Sequence, residues 1–231
     1  MNPAFRTAAA IAIAALAAWA GARLYLVRSA APLAERSVAA PAAALSSRDS
    51  PSPPDPALPL PVKIPERLPV FALADRHGRT TSIESWPGKS LVINFWATWC
   101  APCRREIPLL KSLASEWSGR NFQVVGIAVD YRDQVQSFAD EFAIAYPILV
   151  GEQDALDAAA ALGVASPALP FTVFTDRHGR VVTLFLGELH PPQARLILSV
   201  VQQLNEDQVD LRAAQHSITE GLGRLQADRA G

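Results

Sequence analysis

The sequence is poor in net charge and in cysteine, and both shortages exclude something. Its 21 basic and 22 acidic residues leave a formal charge of −1 over 231 residues, so there is no electrostatic footprint for a nucleic-acid partner. Two cysteines cannot staple a disulfide-dense secreted scaffold or fill a four-cysteine zinc site. The four histidines, His77, His178, His190 and His216, are scattered and offer no second ligand pair, so no metal is expected. No pyridine-nucleotide or flavin motif occurs, so no cofactor beyond the cysteines themselves is expected. Glycine is missing from residues 30–69, where 10 of the 19 prolines gather. Apolar residues are not scarce: 50% hydrophobic and 7% aromatic excludes a wholly disordered chain. The length allows one domain with attachments, or two small ones.

The distribution divides the chain into four pieces. Thr7–Ala22 is an uncharged run of 16 residues following Arg6, the pattern of an export signal. As a helix it spans only about 24 Å, short of the roughly 30 Å hydrocarbon core. Adding Arg23 and Leu24–Val27 brings it to about 31 Å if Arg23 snorkels. Residues 1–28 are therefore expected to be a signal peptide or transmembrane anchor, an uncleaved anchor being the preferred form. No cysteine follows this run, which excludes a lipid-modified N-terminus. Residues 29–67 read as a Pro/Ala-rich disordered linker, semi-stiff and reaching on the order of 100 Å at most. Residues 68–205 read as the folded domain and 206–231 as a C-terminal helical or disordered tail.

Within the domain, Ser90–Ala97, Phe122–Val129 and Phe171–Thr175 are short runs rich in Val, Ile and Phe, the pattern of buried strands. Cys103–Trp117, Arg132–Phe142 and Ala155–Leu162 between them read as helices. Such alternation implies an α/β sheet with parallel crossovers. Asp176-Arg177-His178-Gly179 turns into Arg180–Leu186, making the last two strands an antiparallel hairpin. Asp75-Arg76-His77-Gly78-Arg79 repeats that turn near the start. Pro191–Asn205 closes the domain as a helix. Beyond it Leu204, Leu211, Ile218 and Leu225 recur every seven residues, a weak coiled-coil pattern read as a solvated helix or frayed tail.

Both cysteines lie in Trp99-Cys100-Ala101-Pro102-Cys103, directly after a strand and opening a helix. Helical positions i and i+3 share a face, with Cα atoms about 5–5.5 Å apart, inside the roughly 4.4–6.8 Å window of a disulfide. The pair can therefore open and close with little backbone movement. Cys100 sits at the helix start, where unpaired N–H groups and the dipole favour thiolate. Pro102 falls in the first turn, where a missing N–H does no harm. Cys103 lies one turn deeper, so Cys100 reads as a solvent-open nucleophile and Cys103 as the resolving thiol. Glu106, again three residues on, reads as a partly buried acceptor of the Cys103 proton. Arg104 and Arg105 read as solvated.

At this point the residues resemble a known family, the membrane-tethered, thioredoxin-fold thiol–disulfide oxidoreductases of the TlpA/ResA/CcmG type. The likeness covers about Val70 to Leu204, and KSLVINFWATWCAPCRREIP at Lys89–Pro108 carries most of it. VVGIAVD at Val124–Asp130, YPILVG at Tyr146–Gly151 and LGVASPALPFTVFTDRHGRVV from Leu162 continue it. The resemblance implies a thioredoxin-like fold: a central mixed sheet flanked by helices, with Arg132–Gly151 as the TlpA-type insertion. It implies that Asn94 stands where cytosolic thioredoxins bury an aspartate, and that Glu106 is the branch's carboxylate beside the cysteines. Pro170 is implied to be a cis-proline facing them, Pro167 being the competing position. Trp99, Pro102, Leu169 and Pro170 are implied to face the substrate. Phe171 stands where the family often has threonine and is expected to thicken the lip beside Pro170.

The function implied is a periplasmic thiol–disulfide oxidoreductase at the bacterial inner membrane, or soluble in the periplasm if the signal is cleaved. It would reduce exported disulfide-containing proteins, as in cytochrome c or copper-site maturation, and be re-reduced by a membrane electron donor. A Cu(I)-binding chaperone and a partner-binding scaffold are the alternatives. Copper chaperones of this fold, however, place three residues between their cysteines.

Overall fold

The computed structural model describes residues 64–164 and 169–230. The expected anchor (1–28), nearly all of the expected linker (29–67) and Pro167 lie outside the described residues.

The apolar runs become strands because Val, Ile and Phe suit a sheet buried on both faces. Strands β1 (Ala72–Asp75) and β2 (Thr80–Ser82) form a hairpin. Strand β3 (Ser90–Trp96) leads into helix α1 (Ala101–Trp117), β4 (Phe122–Val129) into α2 (Arg132–Glu141), and β5 (Ile148–Gly151) into α3 (Gln153–Ala161). Strands β6 (Phe171–Thr175) and β7 (Val181–Leu186) form a second hairpin, followed by helices α4 (Pro191–Asn205) and α5 (Leu211–Ala230). The sheet order is β2-β1-β5-β4-β3-β6-β7. Strands β3, β4 and β5 are parallel, while β1 and β6 run antiparallel to their neighbours. This is the mixed, helix-flanked thioredoxin-like sheet, with α2 and β5 formed by the Arg132–Gly151 stretch.

Strand alternation sorts side chains onto two cores. Val92 and Trp96 join the cluster packed by α1, α2, α4 and α5, whereas Ile93 and Phe95 join the one packed by α3. By the same alternation Asn94 belongs to the α1 face. Gly126 on β4 is required by close approach: a Cβ there would lie 2.9 Å from Trp96 Nε1 and 3.3 Å from Tyr146 Cε2. The repeated Asp-Arg-His-Gly-Arg segments are twin turns. Each leading aspartate, Asp75 or Asp176, accepts the N–H groups two and four residues on and the arginine Nε. Gly78 and Gly179 supply the positive φ, 83° and 72°.

Both ends of the domain extend beyond expectation. Glu66 and Arg67, assigned to the linker, already pair with the sheet. The Val181 N–H donates to Glu66 O at 3.0 Å, and Arg67 bridges Arg180. The C-terminal segment is a docked helix rather than a solvated or frayed one, because Ala214 and Ile218 are buried in the α1-side core. Gly221 lets α5 approach α4, as a Cβ there would meet Leu196 Cδ2 at 2.6 Å. The heptad spacing does not build a coiled coil, since α4 stops at Asn205, just after Leu204, and a left-handed Asp207 (φ 58°) separates it from Leu211.

Candidate active site

Cys100 is the N-cap of α1, with extended backbone (φ −83°, ψ 106°), and its Sγ accepts the Cys103 N–H at 3.3 Å. A sulfur thus fills the capping role that a hydroxyl or carboxylate usually takes. Cys100 and Cys103 form a disulfide with Cα atoms 5.3 Å apart, inside the interval anticipated from their spacing. Both cysteines are buried, Cys103 completely and Cys100 to 5% exposure, so Cys100 is the less enclosed of the two. That is more enclosed than the solvent-open thiol expected, because Cys100 Sγ is bonded to Cys103 and accepts its N–H within the first helical turn. Beside it Trp99 is 71% exposed. Pro102 is half-buried in the first turn. The Leu169–Pro170 bond is cis; Pro170 is buried, and its carbonyl accepts the Gly187 N–H at 2.9 Å. Leu169 is half-buried against the cluster that holds both cysteines.

Glu106 is 2% exposed, more deeply placed than the partly buried carboxylate expected. Its Oε1 accepts from Asn94 Nδ2 at 2.7 Å and its Oε2 from the Leu189 N–H at 2.8 Å. Asn94 Nδ2 also donates to Thr172 Oγ1 at 3.0 Å, while Asn94 Oδ1 is buried without a partner. Burial pushes the Glu106 carboxyl up to about 7; the Leu189 N–H and the Asn94 amide oppose this, and the nearby Glu188 charge adds to it. A buried carboxyl there changes protonation state around neutral pH, as proton-transfer chemistry at that pH requires.

One neighbour differs from expectation. Phe171 does not thicken the lip. Strand alternation sends it to the α3-side core, where it is fully buried and stacks on Phe95 with centroids 4.3 Å apart. The next residue, Thr172, takes the α1 face directly opposite Asn94. Arg104 and Arg105 are exposed, as expected, and each also has a partner. Arg104 lies over the Phe138 and Phe142 rings at 5.4 and 5.6 Å, within cation–π range, and Arg105 pairs with Glu188.

Asp130 was not foreseen at all. It is buried and accepts from Thr98 N at 2.9 Å, Thr98 Oγ1 at 2.6 Å and Tyr131 N at 2.8 Å. It therefore ties the loop leading to Trp99 and Cys100 to the end of β4. Its only sequence signal was a lone carboxylate closing the apolar run VVGIAVD.

Residues 63–198 match the Redoxin family model. The chain belongs to the redoxin family. Its relatives include the thiol-disulfide oxidoreductase ResA of Geobacillus thermodenitrificans, 30% identical over 129 residues, covering 55% of this chain and 72% of ResA. Among solved structures, a secreted thiol-disulfide isomerase from Corynebacterium glutamicum is 26% identical with a TM-score of 0.53, covering 60% of this chain and 85% of the isomerase. A DsbF homologue from Corynebacterium diphtheriae is also 26% identical, with a TM-score of 0.51 and coverage of 60% and 86%. This redoxin is a TlpA/ResA/CcmG-like thiol–disulfide oxidoreductase, and Cys100 and Cys103 are its redox-active pair.

Proposed function

We propose that this redoxin works as a reductant of exported proteins. The Cys100 thiolate attacks a client disulfide; that S–S bond breaks, one client sulfur leaves, and a mixed disulfide forms on Cys100. Cys103 then gives its proton to Glu106 and attacks Cys100 Sγ. The internal disulfide forms and the second client sulfur leaves, so two electrons have passed from the dithiol to the client. Trp99, Pro102, Leu169 and Pro170 face the client, and the dithiol is the whole redox centre. The observation that carries the reading is a buried carboxylate one helical turn past Cys103, the more deeply buried member of a disulfide whose other cysteine caps the helix.

The finer assignments rest on sequence. The apolar Thr7–Ala22 run supports export, with the catalytic domain on the periplasmic side of the inner membrane and a membrane electron donor restoring the dithiol. Cytochrome c and copper-site precursors are the client classes that family resemblance favours. Pro102 before the second cysteine favours a reducing couple. The test is the reduction potential of Cys100–Cys103 against glutathione. A value near the roughly −270 mV of thioredoxin is expected; one near the roughly −120 mV of DsbA overturns the direction assigned.

A further inference from the structure

Glu106 is almost sealed, and the surface it does reach is a cleft of about 340 Å³ between α1 and the β7–α4 connection. Arg105 and Glu188 line that cleft with it. Arg105 Nε donates to both carboxylate oxygens of Glu188, at 3.2 and 3.0 Å, and its Nη2 donates to Oε2. The peptide N–H immediately after Glu188 is Leu189's, which is held by Glu106. One ion pair thus both fixes the loop that donates to Glu106 and places two opposite charges beside its route to water.

We propose that Arg105 and Glu188 are positioning residues that set the pH at which Glu106 exchanges its proton with water in this cleft, and so the pH at which Cys103 resolves the mixed disulfide. The inference rests on Glu106 being the proton acceptor described above. An unneutralised Glu188 carboxylate favours the protonated form of Glu106, and an unneutralised Arg105 favours the ionised form. Paired, the two largely cancel. The other groups around Glu106 are Asn94 on β3, Thr172 on β6, Tyr146 before β5, Cys103 on α1, and His190, Arg195 and Glu116 along the cleft. All of these are common to the variants compared, so the difference between variants isolates the pair.

The experiment mixes the reduced full-length protein with dithiobis(nitrobenzoate) and follows thionitrobenzoate release by stopped flow. The first phase forms the mixed disulfide on Cys100, and the second is its resolution by Cys103. In the wild type the second phase should accelerate through a midpoint near neutral pH. Glu188→Gln should lower that midpoint by about half a pH unit and Arg105→Gln should raise it by about as much. The double variant should return close to the wild type. Thermal unfolding confirms that each surface variant folds. If Glu106→Gln abolishes the midpoint but neither single variant moves it, or both move it the same way, the role of the pair is overturned. If Glu106→Gln leaves the profile unchanged, the assignment of Glu106 as proton acceptor falls, and this inference with it.

Discussion

Replacing Glu106 by glutamine separates its charge from its shape. The isostere keeps an acceptor for the Leu189 N–H and places an amide N–H₂ against Asn94. Asn94 has an idle acceptor, Oδ1, so turning its carboxamide over lets Oδ1 accept from both the introduced amide and the Thr172 hydroxyl. The turned-over Asn94 Nδ2 then occupies the buried position that offers no partner, a cost that is the same at every pH, so the loss of the titrating group is read from the pH dependence alone. The stability consequence follows from the carboxyl moving from 4.5 to about 7 on burial. The folded state holds this proton more tightly than the unfolded one. Between about pH 4.5 and 7 the unfolded chain therefore binds fewer protons, and stability falls as pH rises. Above 7 the loss is complete, about 3 kcal/mol for a shift of that size. The glutamine variant has no such slope. Urea unfolding of the oxidised proteins at about pH 4.5 and pH 8 should show the variant gaining about 3 kcal/mol on the wild type between the two conditions. A difference between the two proteins that stays constant across pH refutes the burial argument for Glu106.

Three further substitutions probe the frame around the site. Asp130→Ala orphans the Thr98 and Tyr131 donors and should cost about 2 kcal/mol in denaturant unfolding. It should also slow disulfide exchange, since Thr98 leads directly to Trp99-Cys100; normal exchange with lowered stability would reduce Asp130 to a structural tie. Ile218→Ala should cost about 2–4 kcal/mol, and a loss below about half a kcal/mol would mean that α5 is not docked. Gly126→Ala forces a methyl against Trp96 and Tyr146 and should cost about 1–3 kcal/mol by thermal melt; a neutral result would show that those rings yield freely.

Much of the frame was legible because it is local. Val, Ile and Phe runs, a proline in the first turn and a three-residue cysteine spacing all act within a few residues. What escaped depends on partners far apart in sequence. Phe171 reads as a lip residue from sequence because it follows Pro170 and stands where the resembled family often has threonine. Which way a side chain points from a strand is decided by register with β3, and a one-residue shift changes the face. Asn94 and Thr172 meet for the same reason, across 78 positions. The Arg105–Glu188 pair spans 83 positions, so two exposed-looking charges gave no sign of each other. The docking of α5 was hidden because its apolar positions are few and it relies on Gly221 for close approach.

The position of Glu66 and Arg67 beside Val181 and Arg180 has an orienting consequence. They join the sheet at the start of β7, whereas Leu186 at the other end of β7 lies opposite Phe171, next to Pro170. The strand between these ends is roughly 15–20 Å long. The chain therefore enters the domain at its rear, leaving the sulfurs on the leading pole. Anything bound at the Glu66–Arg67 end thus leaves the disulfide end of the sheet uncovered.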